Sequence, residues 1–173
     1  EIGAEKVATL DILNLFEQDQ NADVISFQAD GFSAKTALVN GLAVDLASYI
    51  AENGIDTKLP LVANYAGAMV NVSFQAVDAD KGVDFYAPVV AGVDYRLAKS
   101  TGAYAEVFAA NATGDGSKEL SCNCILNYLY GELEGKVTGS FTGPATFGEI
   151  AYILLNQTMV RLDVQDKAQT AVA

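Results

Sequence analysis

After Lys58-Leu59-Pro60 the chain reads with a period of two. Val70, Val72, Phe74 and Ala76 fall on one face and Asn71, Ser73 and Gln75 on the other, which predicts a half-buried strand. Asp78 to Gly82 carries turn chemistry, and Val83, Phe85 and Ala87 then alternate with Asp84 and Tyr86, so the two runs form a hairpin. Pro88 requires an edge or a break, because it cannot donate to a ladder. Alternation resumes from Gly92 to Ala98. Upstream, Val24 to Phe32 reads as a strand ending at Asp30-Gly31. Leu42, Leu46, Tyr49 and Ile50 recur at helical spacing, with Asn40 near the start and Asn53-Gly54 as a left-handed stop. Residues 4 to 18, with Val7, Leu10, Ile12, Leu13, Leu15 and Phe16 before a Glu/Gln/Asp-rich end, read as a further helix. Residues 1–20 also admit a reading as a linker or helix from a longer chain.

Downstream, Tyr104 to Ala110 predicts a short helix closed by the polar run Asn111 to Ser117. Two extended runs follow, Leu120 to Leu133 and Thr146 to Val164, the second breaking near Asn156. There is no internal repeat and no low-complexity linker, so residues 1–173 are expected as a single domain. Meandering strands with two or three helices and no regular strand-helix alternation predict an α+β fold with a mainly antiparallel or mixed β-sheet.

Composition narrows the chemistry. With 51% hydrophobic residues the chain can build a core. Its 22 acidic against 10 basic side chains, a net charge of −12, repel phosphate backbones and anionic lipid. Nucleic acid is therefore not an expected partner. No apolar run reaches the length of a bilayer span and no basic, then apolar, leader opens the chain, so a cytoplasmic protein without membrane insertion is expected. Histidine is absent, which removes a Ser-His-Asp triad, a Cys-His pair and His-based metal sites. Cys122 and Cys124, one residue apart, are poorly placed to bridge each other and read as buried free thiols. Asp78, Asp80 and Asp84 do not make a calcium loop, since Gly82 stands where the third ligand belongs and Val89 where the bidentate Glu belongs. No cofactor and no metal are expected.

What remains is recognition chemistry. If Ser121 to Tyr128 is a strand, Asn123 and Asn127 share the face opposite the cysteines, and their amides suit either a small polar ligand or unpaired backbone at a sheet edge. Glu149 stands within an otherwise apolar run, beside Phe147, Ala151 and Ile153 on one strand face. A carboxylate held inward there needs a cation, several donors or a ligand, with Arg161 or Arg96 as internal alternatives to a ligand ammonium.

The stretch Gly143-Pro144-Ala145-Thr146-Phe147-Gly148-Glu149-Ile150-Ala151-Tyr152, with Asn156-Gln157-Thr158 after it, resembles the end of the FIST sensory domain, in its C-terminal half. The likeness extends through Leu42 to Asn53, Leu59-Pro60-Leu61, Phe85 to Leu97 and Ser121-Cys122. It departs after the cysteine, where an Arg is usual and this chain has Ile125 and Leu126. The resemblance implies a non-catalytic, ligand-binding module of bacterial intracellular signalling. Its ligand would be a small molecule such as an amino acid, held by Glu149, Asn123, Asn127, Tyr152 and Asn156, and its other partner a signalling protein. The alternatives are an interaction scaffold without a pocket and an enzyme using Glu149 as acid or base.

Overall fold

The structure is a computed structural model that describes residues 6–113, 119–136, 143–150 and 153–166. It is an α+β arrangement of mixed and antiparallel sheets with three helices among the described residues. The first surprise is at the start: β1, Lys6–Leu13, is a strand where a helix was expected. Ala8, Leu10 and Ile12 alternate with Thr9 and Asp11, and all eight residues pair antiparallel with the last strand, so tertiary pairing overrides the helical reading.

The next elements are β2 (Ile25–Ser26), β3 (Gly31–Ala34), β4 (Thr36–Val39), β5 (Leu42–Asp45) and α1 (Leu46–Glu52). The single strand expected from Val24 to Phe32 is thus split. Asn40 does not open a helix: Asn40 and Gly41 both take positive φ (49° and 83°) as the two-residue turn of a β4–β5 hairpin. The helix begins four residues later than its apolar spacing starts, capped by the Asp45 carboxylate on the Ser48 N–H at 3.0 Å. Gly54, at φ 59°, supplies the left-handed residue beyond its end.

β6 (Leu61–Tyr65) and β7 (Ala68–Val72) form a hairpin around Ala66-Gly67, and β8 (Phe74–Asp78) and β9 (Gly82–Val89) form a second; the strand expected through Val70 to Ala76 is split at Ser73, and only its end enters the expected hairpin. Val83, Phe85, Ala87 and Val89 are buried along β9, as the alternation required. Pro88 falls in the gap of the β3–β9 register between Asp84 and Val89, where no ladder donor is needed. With β10 (Asp94–Leu97) these strands make a six-stranded sheet, β5-β4-β2-β10-β6-β7, and a three-stranded one, β3-β9-β8. The largest core collects Ile25, Phe27, Leu46, Ile50, Leu61, Phe74, Phe85 and Tyr95 from both sheets and α1.

The rest of the chain is α2 (Tyr104–Asn111), β11 (Glu119–Cys124), α3 (Ile125–Tyr130), β12 (Ala145–Thr146), β13 (Glu149–Ile150), β14 (Ile153–Leu154) and β15 (Met159–Asp166). The run Leu120 to Leu133 is therefore half strand and half helix, which moves Asn127 off the strand face assigned to it. The order β1-β15-β11-β12 makes a four-stranded sheet. Its two faces differ. Met159 turns to Phe108, Ala112 and Leu133 on one side, while Val160 meets Ile150 and Leu155 on the other.

Candidate functional site

Asn123 lies near the end of β11 and Asn127 in the first turns of α3, both buried. The Asn127 Nδ2 donates to Asn123 Oδ1 at 2.6 Å, and the Tyr104 hydroxyl donates to Asn127 Oδ1 at 2.7 Å. Tyr104 in turn stacks on Phe16 with ring centroids 5.2 Å apart. These amides are answered within the protein, so the pair serves to fasten α2 to α3. Between them sits Cys124, fully buried. Burial pushes its thiol up; backbone N–H groups of Leu126, Gln157 and Thr158 oppose that shift and the Glu149 charge adds to it. A protonated thiol is a poor nucleophile. Both cysteines are free, Cys124 buried and Cys122 half-buried.

Asn156 is a docking residue. Its Oδ1 accepts the Ser73 N–H at 3.1 Å, and its backbone carbonyl accepts from Asn71 Nδ2 at 3.1 Å and from Thr158 Oγ1 at 2.8 Å. Alongside, Ser73 Oγ donates to Gln157 Oε1 at 2.7 Å and Gln157 Nε2 to the Lys58 carbonyl at 3.1 Å. Asn14 extends the seam through reciprocal amide bonds to Asn71 at 2.9 and 3.1 Å. Asn71 and Ser73, expected on a solvated strand face, are thus buried under residues 155–158. The Asn156 Nδ2 finds no hydrogen-bond partner among the described residues and lies against Gly148, whose φ is 111°.

Glu149 corrects the sequence reading. It is exposed on β13, and Phe147 beside it is 66% exposed, so the carboxylate is not held inward in an apolar setting. In the two-stranded β13–β14 ladder, with Ile150 opposite Ile153, Ile150 is buried in a core and Leu154 packs against the largest one. Glu149 stands opposite Leu154, and directly opposed residues point to the same side of a ladder. Tyr152 lies outside the described residues. The four predicted site residues that are described therefore do not converge on one pocket: Asn123 and Asn127 hold α2 and α3, Asn156 seals a seam and Glu149 meets solvent.

An apolar concave site lies elsewhere. A cleft of about 300 Å³ is lined by Tyr65, Val70, Val72, Ala87, Pro88, Val90 and Tyr95 on one side and by Ile153, Leu154 and Leu155 on the other. The hairpin β13–β14 thus overhangs the β6–β7 and β9–β10 region. At its polar end the buried Tyr95 hydroxyl accepts the Val90 N–H at 2.9 Å and lies beside the Tyr65 hydroxyl. Burial, above all, pushes the Tyr95 phenol well above its ordinary value, so it keeps its proton. Asp30, whose Oδ1 accepts the Ala91 N–H at 2.7 Å, acts electrostatically on the same hydroxyl. Sequence reasoning missed this cleft, because its residues are ordinary strand residues made adjacent by topology; Tyr65 and Pro88, large or rigid groups at strand ends, were the available signal. Other concavities among the described residues include one of about 470 Å³ along α3, lined by Ile125, Tyr128, Leu129, Glu132 and Glu134, and a charged groove of about 320 Å³ that runs past Tyr104 and holds the Lys58–Glu132 ion pair at 2.9 Å.

No helix among the described residues is long and apolar enough to cross a membrane. The chain belongs to DUF6976, a family of unknown function, whose profile matches residues 1–165. No curated protein and no solved structure matches it. Nothing in the family match links the chain to the FIST domain.

Proposed function

We propose that this member of DUF6976 is a non-catalytic small-ligand-binding domain whose ligand enters the apolar cleft under the β13–β14 hairpin. A sensory role in bacterial intracellular signalling, drawn from the FIST resemblance, belongs to the same proposal. The cleft carries the reading: its volume, about 300 Å³, stands at the lower end of the range for small-molecule pockets, and its lining is apolar with a few convergent hydroxyls. Its two walls come from segments some sixty residues apart, Pro88 and Val90 against Ile153 to Leu155. A bound molecule touches both, which is what a site needs if occupancy is to bias the packing of one part on the other. An amino acid would need a carboxylate held inward for its ammonium group, and Glu149 stands in solvent, so the ligand of the cleft need not be an amino acid.

The test is ligand-observed NMR and thermal shift against a panel of fragment-sized apolar molecules. Binders should raise the melting temperature by mass action, and Ile153→Trp, which adds bulk at a side chain 55% exposed beside the cleft, should remove the effect. No binder at millimolar concentration, or binding indifferent to that substitution, removes the cleft from the proposal.

The scaffold reading is favoured by a separate observation. On the four-stranded sheet Leu10 is registered with Leu162 and Leu162 with Leu120, and Leu10, Ile12 and Leu120 are 58%, 51% and 67% exposed. Such a row is the kind of surface that marks protein contacts. Leu10→Glu with Leu120→Glu separates the readings: ligand binding survives it if the cleft is the function, and capture of a partner is lost if the sheet face is.

A further inference from the structure

We infer that the cleft selects against anions and takes an apolar molecule bearing a single primary amine, with the uncharged analogue next in rank. The inference rests on the cleft being the ligand site and deepens that reading. None of the ten lining residues among those described is Lys or Arg, and the chain has no histidine to act in their place. A carboxylate or phosphate brought into the cleft would lose its hydration and find no cation, a penalty that only paired charges escape. The charges at the borders are of the opposite kind. Asp30 stands by the hydroxyl end, where its carboxylate acts on Tyr95 and is fixed by the Ala91 N–H. Glu149 is exposed on the hairpin whose Leu154, directly opposite it, lines the cleft. The whole molecule, at −12, adds a field that concentrates cations and repels anions.

The polar end fits an amine as well as it rejects an acid. The Tyr65 and Tyr95 phenols bring oxygen acceptors to this end, and Tyr65, 41% exposed, adds an aromatic ring against which a cation is favoured. The remaining lining, Val70, Val72, Ala87 and Leu154 among it, gives only apolar contact, so the body of the ligand is hydrocarbon and carries no second polar group. An amino acid carries the amine but adds a carboxylate that the cleft cannot answer.

Three molecules of one skeleton test the assignment: phenethylamine, 2-phenylethanol and phenylacetate, titrated by calorimetry and by saturation-transfer NMR against the full chain. The expected order is amine, then alcohol, with phenylacetate weaker than the amine by at least about tenfold in Kd, the effect of one unmet charge. Asp30→Asn keeps the acceptor oxygen for Ala91 and should narrow the amine-to-alcohol ratio. Phenylacetate binding as tightly as the amine, or an amine-to-alcohol ratio indifferent to Asp30→Asn, overturns the inference while leaving the cleft as a site. Failure of all three to bind overturns the site and the inference together.

Discussion

Asn127 shows how a polar residue can be right to single out and wrong to assign. Its side chain is fully buried, with one bond to Tyr104 and one to Asn123. Removing it strands the buried Asn123 amide and the half-buried Tyr104 hydroxyl, and an unsatisfied buried group costs about 1–3 kcal/mol. Asn127→Ala should therefore lower the unfolding free energy, read as the urea midpoint shift times an unchanged slope, by an amount in that range or above, whereas Glu149→Gln, at an exposed position, should stay within about 0.5 kcal/mol. Equal effects from the two would contradict a fastening Asn127 and a solvated Glu149. The sequence made Asn123, Asn127 and Asn156 visible as amides among apolar neighbours. It could not say whether those amides face a ligand or each other, because that depends on α2, α3 and residues 71–73 meeting across long stretches of chain. Glu149 failed for the complementary reason: its neighbours are apolar, but the short hairpin turns it outward.

At the scale of elements, the β4–β5 hairpin and α1 are tied by one carboxylate. Asp23 accepts from Asn40 Nδ2 at 2.7 Å and from the Tyr49 hydroxyl at 2.6 Å, so the turn residue, the helix and the approach to β2 are held at one point. The Tyr49 bond, then that of Asn40, holds Asp23 below the usual carboxylate range. Burial, with the Asp23 bond and charge adding to it, pushes Tyr49 up to about 12. The signs follow. A lowered carboxyl pKa stabilises the fold above the ordinary carboxylate pKa of about 3.9 and fades as pH falls through the folded value. A raised phenol pKa stabilises it below about 10 and fades as pH climbs toward 12. Urea unfolding of the parent and Tyr49→Phe should differ most between those limits and converge on either side of them. A constant difference from pH 3 to 11 would sink the assignment.

The same region marks what element patterns can convey. Period two along β9 was legible because a single face is buried. Asn40-Gly41 was a hairpin signal that the helical spacing of Leu42, Leu46 and Tyr49 concealed, since three of four apolar positions suit either answer. β1 and α3 were misjudged for one reason: eight or six residues of mixed polarity take their form from the partner, and β15 and Tyr104 are far away in sequence.

For the molecule as a whole, the α+β class was legible from the number of short strands and the lack of strand-helix alternation. The grouping of those strands into separate sheets was not. It depends on pairings such as β1 with β15, which join Leu13 to Met159 and Lys6 to Asp166. The ribosome delivers these partners in a fixed sequence. At roughly 5–20 residues per second, the opening strand waits on the order of ten to thirty seconds for the one that completes it. Through that interval its Leu10 and Ile12 are accessible to any chaperone and its backbone to any neighbouring chain. Stalled nascent chains ending before Met159 should thus be cut within residues 6–13 by a protease that spares this segment in the finished protein, and equal protection in both would show that something else shelters it during synthesis.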